Sequence, residues 1–154
     1  MLDVKPFKQT PGFCGPACLK MVFSYYGIEK SEMELAKLFN SIKEKGTSAQ
    51  GLIDAANKLG FKAEIKDNCS FEDIKKYLSR KIPVIVDWFL NDEGHYSIIV
   101  GIDQENIYLQ DPNLGHLRAM KLETFYRVWF DFPKNFLRDK DDLILRRIIV
   151  IERS

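Results

Sequence analysis

The sequence predicts an α+β fold in which N-terminal helices pack on a C-terminal antiparallel sheet. Apolar residues of the first half recur with a helical period. From residue 82 onward they run in short strand-like stretches, joined by turns too brief for crossover connections. At 154 residues the whole chain, 1–154, is expected to form one domain. That length buries enough surface for an ordinary core.

Residues 14–26 carry apolar side chains at 14, 18, 21, 22 and 25, a helical spacing, and Gly27 follows as a stop. Ser31 with Glu34 three residues on is a capping-box pattern opening a helix over 31–40. Thr47 and Ser48 open a third helix, 48–59, closed by Gly60. Residues 61–66 alternate like a short strand. Ser70, with Glu72 and Asp73 in the first turn and bases in the last, opens a helix over 70–81. Residues 82–90 are near-continuously apolar, which predicts a central strand. A turn at 91–94, a strand over 95–102, a turn at 103–106 and a strand over 107–111 follow. Residues 112–115 read as a loop, 117–120 as a short strand, 122–130 as a helix, 132–142 as mixed-charge loop and 143–151 as a closing strand.

Composition excludes several functions. Lys+Arg number 23 against Asp+Glu 22, a formal net charge of +1. Nucleic acid and anionic membrane both select a basic excess, so neither is the expected partner. No apolar run approaches the ~20 residues of a membrane span, and residues 1–13 lack the apolar stretch of a signal peptide. Three cysteines, Cys14, Cys18 and Cys69, make no disulfide framework and point to a reducing cytoplasm. With only His95 and His116 besides, the spacing fits no zinc site, and no metal or other cofactor is expected.

Four residues form a coherent set. Cys14, in Gly12-Phe13-Cys14-Gly15-Pro16, sits at a helix start, where unpaired N–H groups and the positive dipole end favour a thiolate. A small buried packing residue is the plain alternative. Cys18, one turn on, reads as core, and Cys69 as a surface or half-buried thiol. A thiolate nucleophile needs an imidazole. His95 opens a strand and is better fixed than His116 in a loop, which reads as a surface residue. Asp111 ends the next strand and could orient His95, or could simply start an Asp-Pro turn. Gln9, five residues before Cys14, could join the Cys14 N–H as an oxyanion donor, or be an exposed polar residue. His95 and Asp111 share a face only if paired residue numbers sum to an even value. The register 101↔107, 99↔109, 97↔111 satisfies this, with a five-residue loop over 102–106. Pairing of 100↔109 would separate them. Phe13, Trp88, Phe89 and Tyr96 are candidate pocket walls that read first as core.

The segments Gln9-x-x-x-x-Cys14-Gly15-Pro16-Ala17, Gly94-His95-Tyr96-Ser97-Ile98-Ile99-Val100-Gly101 and Leu109-Gln110-Asp111-Pro112 resemble the bacteriocin-processing peptidase family over residues 5–130. Its members are papain-like cysteine peptidases, many of which cut leader peptides after a double glycine. The resemblance implies a papain-like fold, Cys14 as nucleophile, His95 as base and acid, Asp111 as its orienter and Gln9 as oxyanion donor. It also implies a peptide or protein substrate and a closing helix around Phe125 to Trp129. Exporter-fused members carry an acidic residue where this chain has Phe13, and continue into membrane and ATPase domains. The resemblance is therefore to the stand-alone branch. A catalytically silent peptide-binding module of the same fold, or another acyl transfer by the same residues, are the alternative functions; the oligomeric state is left open.

Overall fold

The structure, a computed structural model, describes residues 1–38, 48–133 and 136–154. The first helix, α1 (Cys14–Tyr25), and α2 (Glu32–Leu38) follow the predicted spacings. Ser31 Oγ accepts from Glu34 N at 3.0 Å while Glu34 Oε1 accepts from Ser31 N at 3.2 Å, so the predicted capping box is formed. The expected continuation of that helix to 40, and Thr47, lie outside the described residues. Ser48 caps α3 (Ala49–Lys58), and β1 (Phe61–Lys66) follows. Helix α4 (Phe71–Ser79) carries a second capping box, Ser70 with Asp73.

Strands β2 (Val84–Leu90), β3 (Glu93–Ile102), β4 (Asn106–Asp111) and β5 (His116–Lys121) form a meander. Helix α5 (Leu122–Val128) leads to β6 (Phe130–Asp131), and the chain ends in β7 (Ile144–Leu145) and β8 (Ile148–Arg153). Strand β8 inserts between β1 and β2, so the sheet runs β1-β8-β2-β3-β4-β5, every pair antiparallel. The near-continuous apolar run of β2 is explained by its interior position, covered on both faces.

Alternate residues sort into two cores. Ile85, Tyr96, Ile98, Val100, Ile149 and Ile151 pack beneath α1, α2 and α3. Val84, Val86, Trp88, Ile99, Leu109 and Ile148 pack beneath α4 and α5 with Phe125 and Trp129. The α+β class holds, and the later helices cover the second face. Cys18 is fully buried, as expected, but Cys69 is also buried, under the α4 end of the second core, and is not a surface thiol.

Three boundaries differ from expectation. The 91–94 turn is a two-residue hairpin turn: Asn91 and Asp92 both have positive φ, and Leu90 pairs with Glu93. Helix α5 stops at Val128, because Phe130 pairs with Leu145 in a two-stranded ribbon. The closing strand is broken at Arg146 (φ 47°), which turns β7 away and lets β8 enter the main sheet.

Register around the candidate site is as derived: Ile98↔Gln110 and Ile99↔Leu109 pair. Beyond Ile99 a bulge at Val100 shifts the pairing to Gly101↔Tyr108 and Ile102↔Ile107, so the expected 101↔107 pair does not form. The Val100 carbonyl instead accepts from Leu2 N at 2.8 Å. The connecting loop then has four residues. Asp103 Oδ1 closes it, accepting from Glu105 N and Asn106 N at 2.8 and 2.7 Å, where a glycine would otherwise serve.

Candidate active site

The N-terminal segment is tied to the sheet at three points: Leu2 N to Val100 O, Gln110 Nε2 to Val4 O at 2.9 Å, and Gln9 N to Pro112 O at 2.9 Å. The last bond sets Gln9 beside the end of β4. Glu32, in the first turn of α2, accepts from Thr10 N at 2.8 Å and Thr10 Oγ1 at 2.6 Å, pinning the next residue. The chain then turns through Gly12, whose φ of 84° suits glycine, into α1. Phe13 precedes the helix and provides no side-chain acceptor for its first N–H groups. Those donors are left at Cys14, the first helical residue, which is half-buried.

His95 and Asp111 are brought together. Both are buried, and His95 Nε2 lies 2.6 Å from Asp111 Oδ1. That bond leaves Nδ1 for a second partner. Asn113 N also donates to Asp111 Oδ1, at 2.9 Å. Arg118 Nε stands 3.3 Å from Asp111 Oδ2 without hydrogen-bond alignment, a charge contact only. The Arg118 guanidinium lies over the Trp88 ring, and Trp88 meets His95 edge-on at 5.8 Å between centroids. Trp88 is fixed in turn by Nε1 donating to Ser97 Oγ at 3.0 Å.

Burial works against an imidazolium at His95. The hydrogen bond to Asp111 and the influence of the neighbouring Cys14 side chain outweigh it and push the pKa up to about 9. Burial likewise opposes ionisation of Asp111, yet the His95 contact leaves its pKa lowered. Cys14 therefore adjoins the ring that Asp111 holds. Gln9 is half-buried with its amide under-used: Oε1 is buried without a partner, and Nε2 makes one 3.4 Å contact with Thr10 O. His116 opens β5 directly opposite Asp111, but its side chain is exposed, with Nδ1 3.0 Å from Leu117 O.

Residues 8–132, a stretch holding all four candidates, match the Peptidase C39 family. The chain belongs to that family. It is 36% identical over 142 residues to a Methanothermobacter marburgensis protein of undescribed function, covering 84% of this chain and 90% of that one. It is 31% identical over 121 residues to the transport/processing ATP-binding protein ComA of Streptococcus pneumoniae, covering 75% of this chain but 16% of ComA. Among solved structures, the peptidase domain of Streptococcus ComA superposes with a TM-score of 0.79 at 24% identity, covering 98% and 99% of the two chains. A double glycine motif protease in complex with its leader peptide superposes at 0.73 and 20% identity, covering 97% and 91%. These likenesses establish the papain-like C39 peptidase fold and the processing-domain kinship.

Other members of this C39 site were not read from the sequence. Arg118 and Glu32 are joined to the site only by the fold, whereas the Asn113 N–H bond to Asp111 is local turn chemistry two residues on. Asp87 did leave a signal, as the one charged residue in the apolar run 82–90. It is 3% exposed and lines a pocket with Cys14, Tyr96 and Asp131. Of the four candidate pocket aromatics, Phe13, Trp88 and Tyr96 are core residues, Tyr96 also lining that pocket, and Phe89 is half-buried. Among the described residues no helix is long and apolar enough to cross a membrane, and no cluster of three metal-ligating side chains occurs.

Proposed function

We propose that this C39 chain is a cysteine peptidase that hydrolyses peptide bonds through Cys14, His95 and Asp111. The observation that carries the reading is the buried 2.6 Å His95–Asp111 bond through Nε2, with Cys14 adjoining the same ring. Nδ1 takes the thiol proton, and the Cys14 sulfur attacks the carbonyl carbon of the scissile bond. The Cys14 N–H and the Gln9 amide donate to the oxyanion as it forms. His95 returns its proton to the leaving amine as the C–N bond breaks, leaving a thioester. A water, deprotonated by His95, then releases the acid and restores the thiol. Asp111 holds the tautomer and stabilises the imidazolium.

The substrate is a peptide or protein, and a leader peptide is the reading suggested by the C39 relatives named for processing and transport. The described cysteines are all unpaired, in keeping with action in a reducing cytoplasm where the nucleophile stays a thiol. Peptide-library cleavage with trapping of the Cys14 thioester by mass spectrometry tests the proposal. Cleavage abolished in Cys14→Ala is expected. Peptide binding without cleavage would make the chain a silent binding module instead.

A further inference from the structure

We propose that the pocket beside Cys14 is a subsite for a cationic side chain of the substrate, a lysine or arginine next to the scissile bond, held by Asp87 and Asp131. The proposal rests on Cys14 being the nucleophile.

Asp87 belongs to β2 and pairs with Tyr96, so its side chain points to the helix-covered face on which α1 lies. It is 3% exposed, and Asp131 from β6 lines the same pocket. A carboxylate so placed is costly unless it keeps a proton or meets a cation. Gly94 leaves room for Asp131. A Cβ at position 94 would lie 2.2 Å from Asp131 Oδ2, so the carboxylate occupies the space a side chain would fill. The residue immediately before His95 is thus shaped around Asp131.

The cationic side chain that lines this pocket is committed elsewhere. Arg147 lines the same pocket, but its Nε and Nη2 bond Asp67 Oδ1 and Oδ2 at 2.7 and 3.0 Å. Asp87 receives only its field. Burial, and then the Asp131 carboxyl, push the Asp87 pKa well above the carboxylate range, so the pair retains a proton. A substrate ammonium or guanidinium would take that proton's place between the two carboxyls, the proton passing to solvent.

The cavity, about 450 Å³, has room for a long side chain. Phe132, Pro133 and Ile144 offer apolar wall for a methylene stem whose charged head reaches the carboxyls. Cys14 opens onto the same cavity, so the bound residue is adjacent to the bond attacked.

Two measurements test this on the full chain. The first compares modification rates of Cys14 by 2-aminoethyl methanethiosulfonate, which is cationic, and by neutral methyl methanethiosulfonate, read by mass spectrometry of the Cys14 peptide. Relative to free cysteine, the cationic reagent is expected to gain about tenfold or more, as clefts of one charge do for opposite ligands. The gain is expected to shrink several-fold in Asp87→Asn and in Asp131→Asn. The half-exposed Asp131 serves if Asp87→Asn fails to fold. The second compares cleavage of peptides with lysine or norleucine beside the scissile bond, where at least a tenfold preference in kcat/KM for lysine is expected. No gain for the cationic reagent, or a gain unchanged in both variants, overturns the subsite, as does equal cleavage of both peptides. The labelling arm requires no turnover. Hydrolysis surviving in Cys14→Ala would refute the catalytic reading without touching the labelling result.

Discussion

Asp111→Asn keeps the shape of the residue that holds His95 and removes its charge. Burial disfavours the imidazolium, while Asp111 and then Cys14 favour it strongly enough to take the pKa from 6.5 to about 9. At about 1.4 kcal/mol per tenfold change in proton affinity, this is at most about 3 kcal/mol of added stability for the protonated folded state. The folded pKa lies above the unfolded one. The stabilisation is therefore fully present below pH 6.5 and is lost as pH rises through about 9. In Asp111→Asn the carboxylate's pull is gone and burial remains, so the His95 pKa falls strongly. The variant should be less stable than wild type by up to about 3 kcal/mol near pH 6, with the gap closing above about pH 9. Urea unfolding at a series of pH values measures the gap. An NMR titration of the two imidazoles locates the shift, with exposed His116 as an internal reference. A gap constant across that range, or a His95 still titrating near 9, would refute the assignment of the shift to Asp111. Turnover should fall less than in Asp111→Ala, because asparagine still offers an oxygen to the imidazole N–H, as Cys-His-Asn enzymes show.

Cys14→Ala should lose hydrolysis by several orders of magnitude, checked by product formation on a peptide that wild type cleaves. Iodoacetamide should modify Cys14 well before Cys18 and Cys69, since burial seals both of the latter and raises their pKa values; peptide mapping reads the order. Gln9→Ala should lower kcat by roughly 10²–10³-fold with a smaller change in KM, a split that steady-state kinetics resolves. Gly94→Ala drives a methyl into the Asp131 carboxylate and should cost about 1–3 kcal/mol in thermal unfolding, with part of the loss recovered in Gly94→Ala/Asp131→Ala.

The local parts of this fold were legible because local chemistry fixes them. Ser31 with Glu34 forms the box its spacing predicts, and Ser70 caps the helix expected to open there, since a cap needs only atoms within one turn. What the sequence concealed was decided by distant partners. Nothing near Val100 signals a bulge; the acceptor it frees is used by Leu2, almost a hundred residues earlier. Arg146 breaks the closing strand because Phe130 and Asp131 claim Ile144 and Leu145 as partners. The distinction matters for the site. The face shared by His95 and Asp111 depends only on pairing parity at Ile98 and Ile99, and the bulge lies on the far side of those pairs. The loop-side pairs, such as Gly101 with Tyr108, have the opposite parity; without the bulge at Val100 that register would have run on to 100↔109 and put the two side chains on opposite faces.

Asp87 is the instructive case. Every local rule for a central strand asks for an apolar residue there, and its neighbours obey: Val84, Ile85, Val86 and Trp88 are all buried. A charged side chain kept at such a position is a conflict between local and global preference, and such conflicts concentrate at functional sites. The conflict is visible in one sequence, but its resolution is not. Asp131 lies more than forty residues on, in a two-residue strand, and lines the same pocket with its carboxylate in the space that glycine leaves at position 94. Glycine before His95 could be taken for turn chemistry, since Asn91 and Asp92 stand just before it. The structure shows that those two residues make the turn and that Gly94, already in β3, serves the carboxyl pair. The same local sequence thus carries the hairpin, the imidazole and the space for the acid beside it.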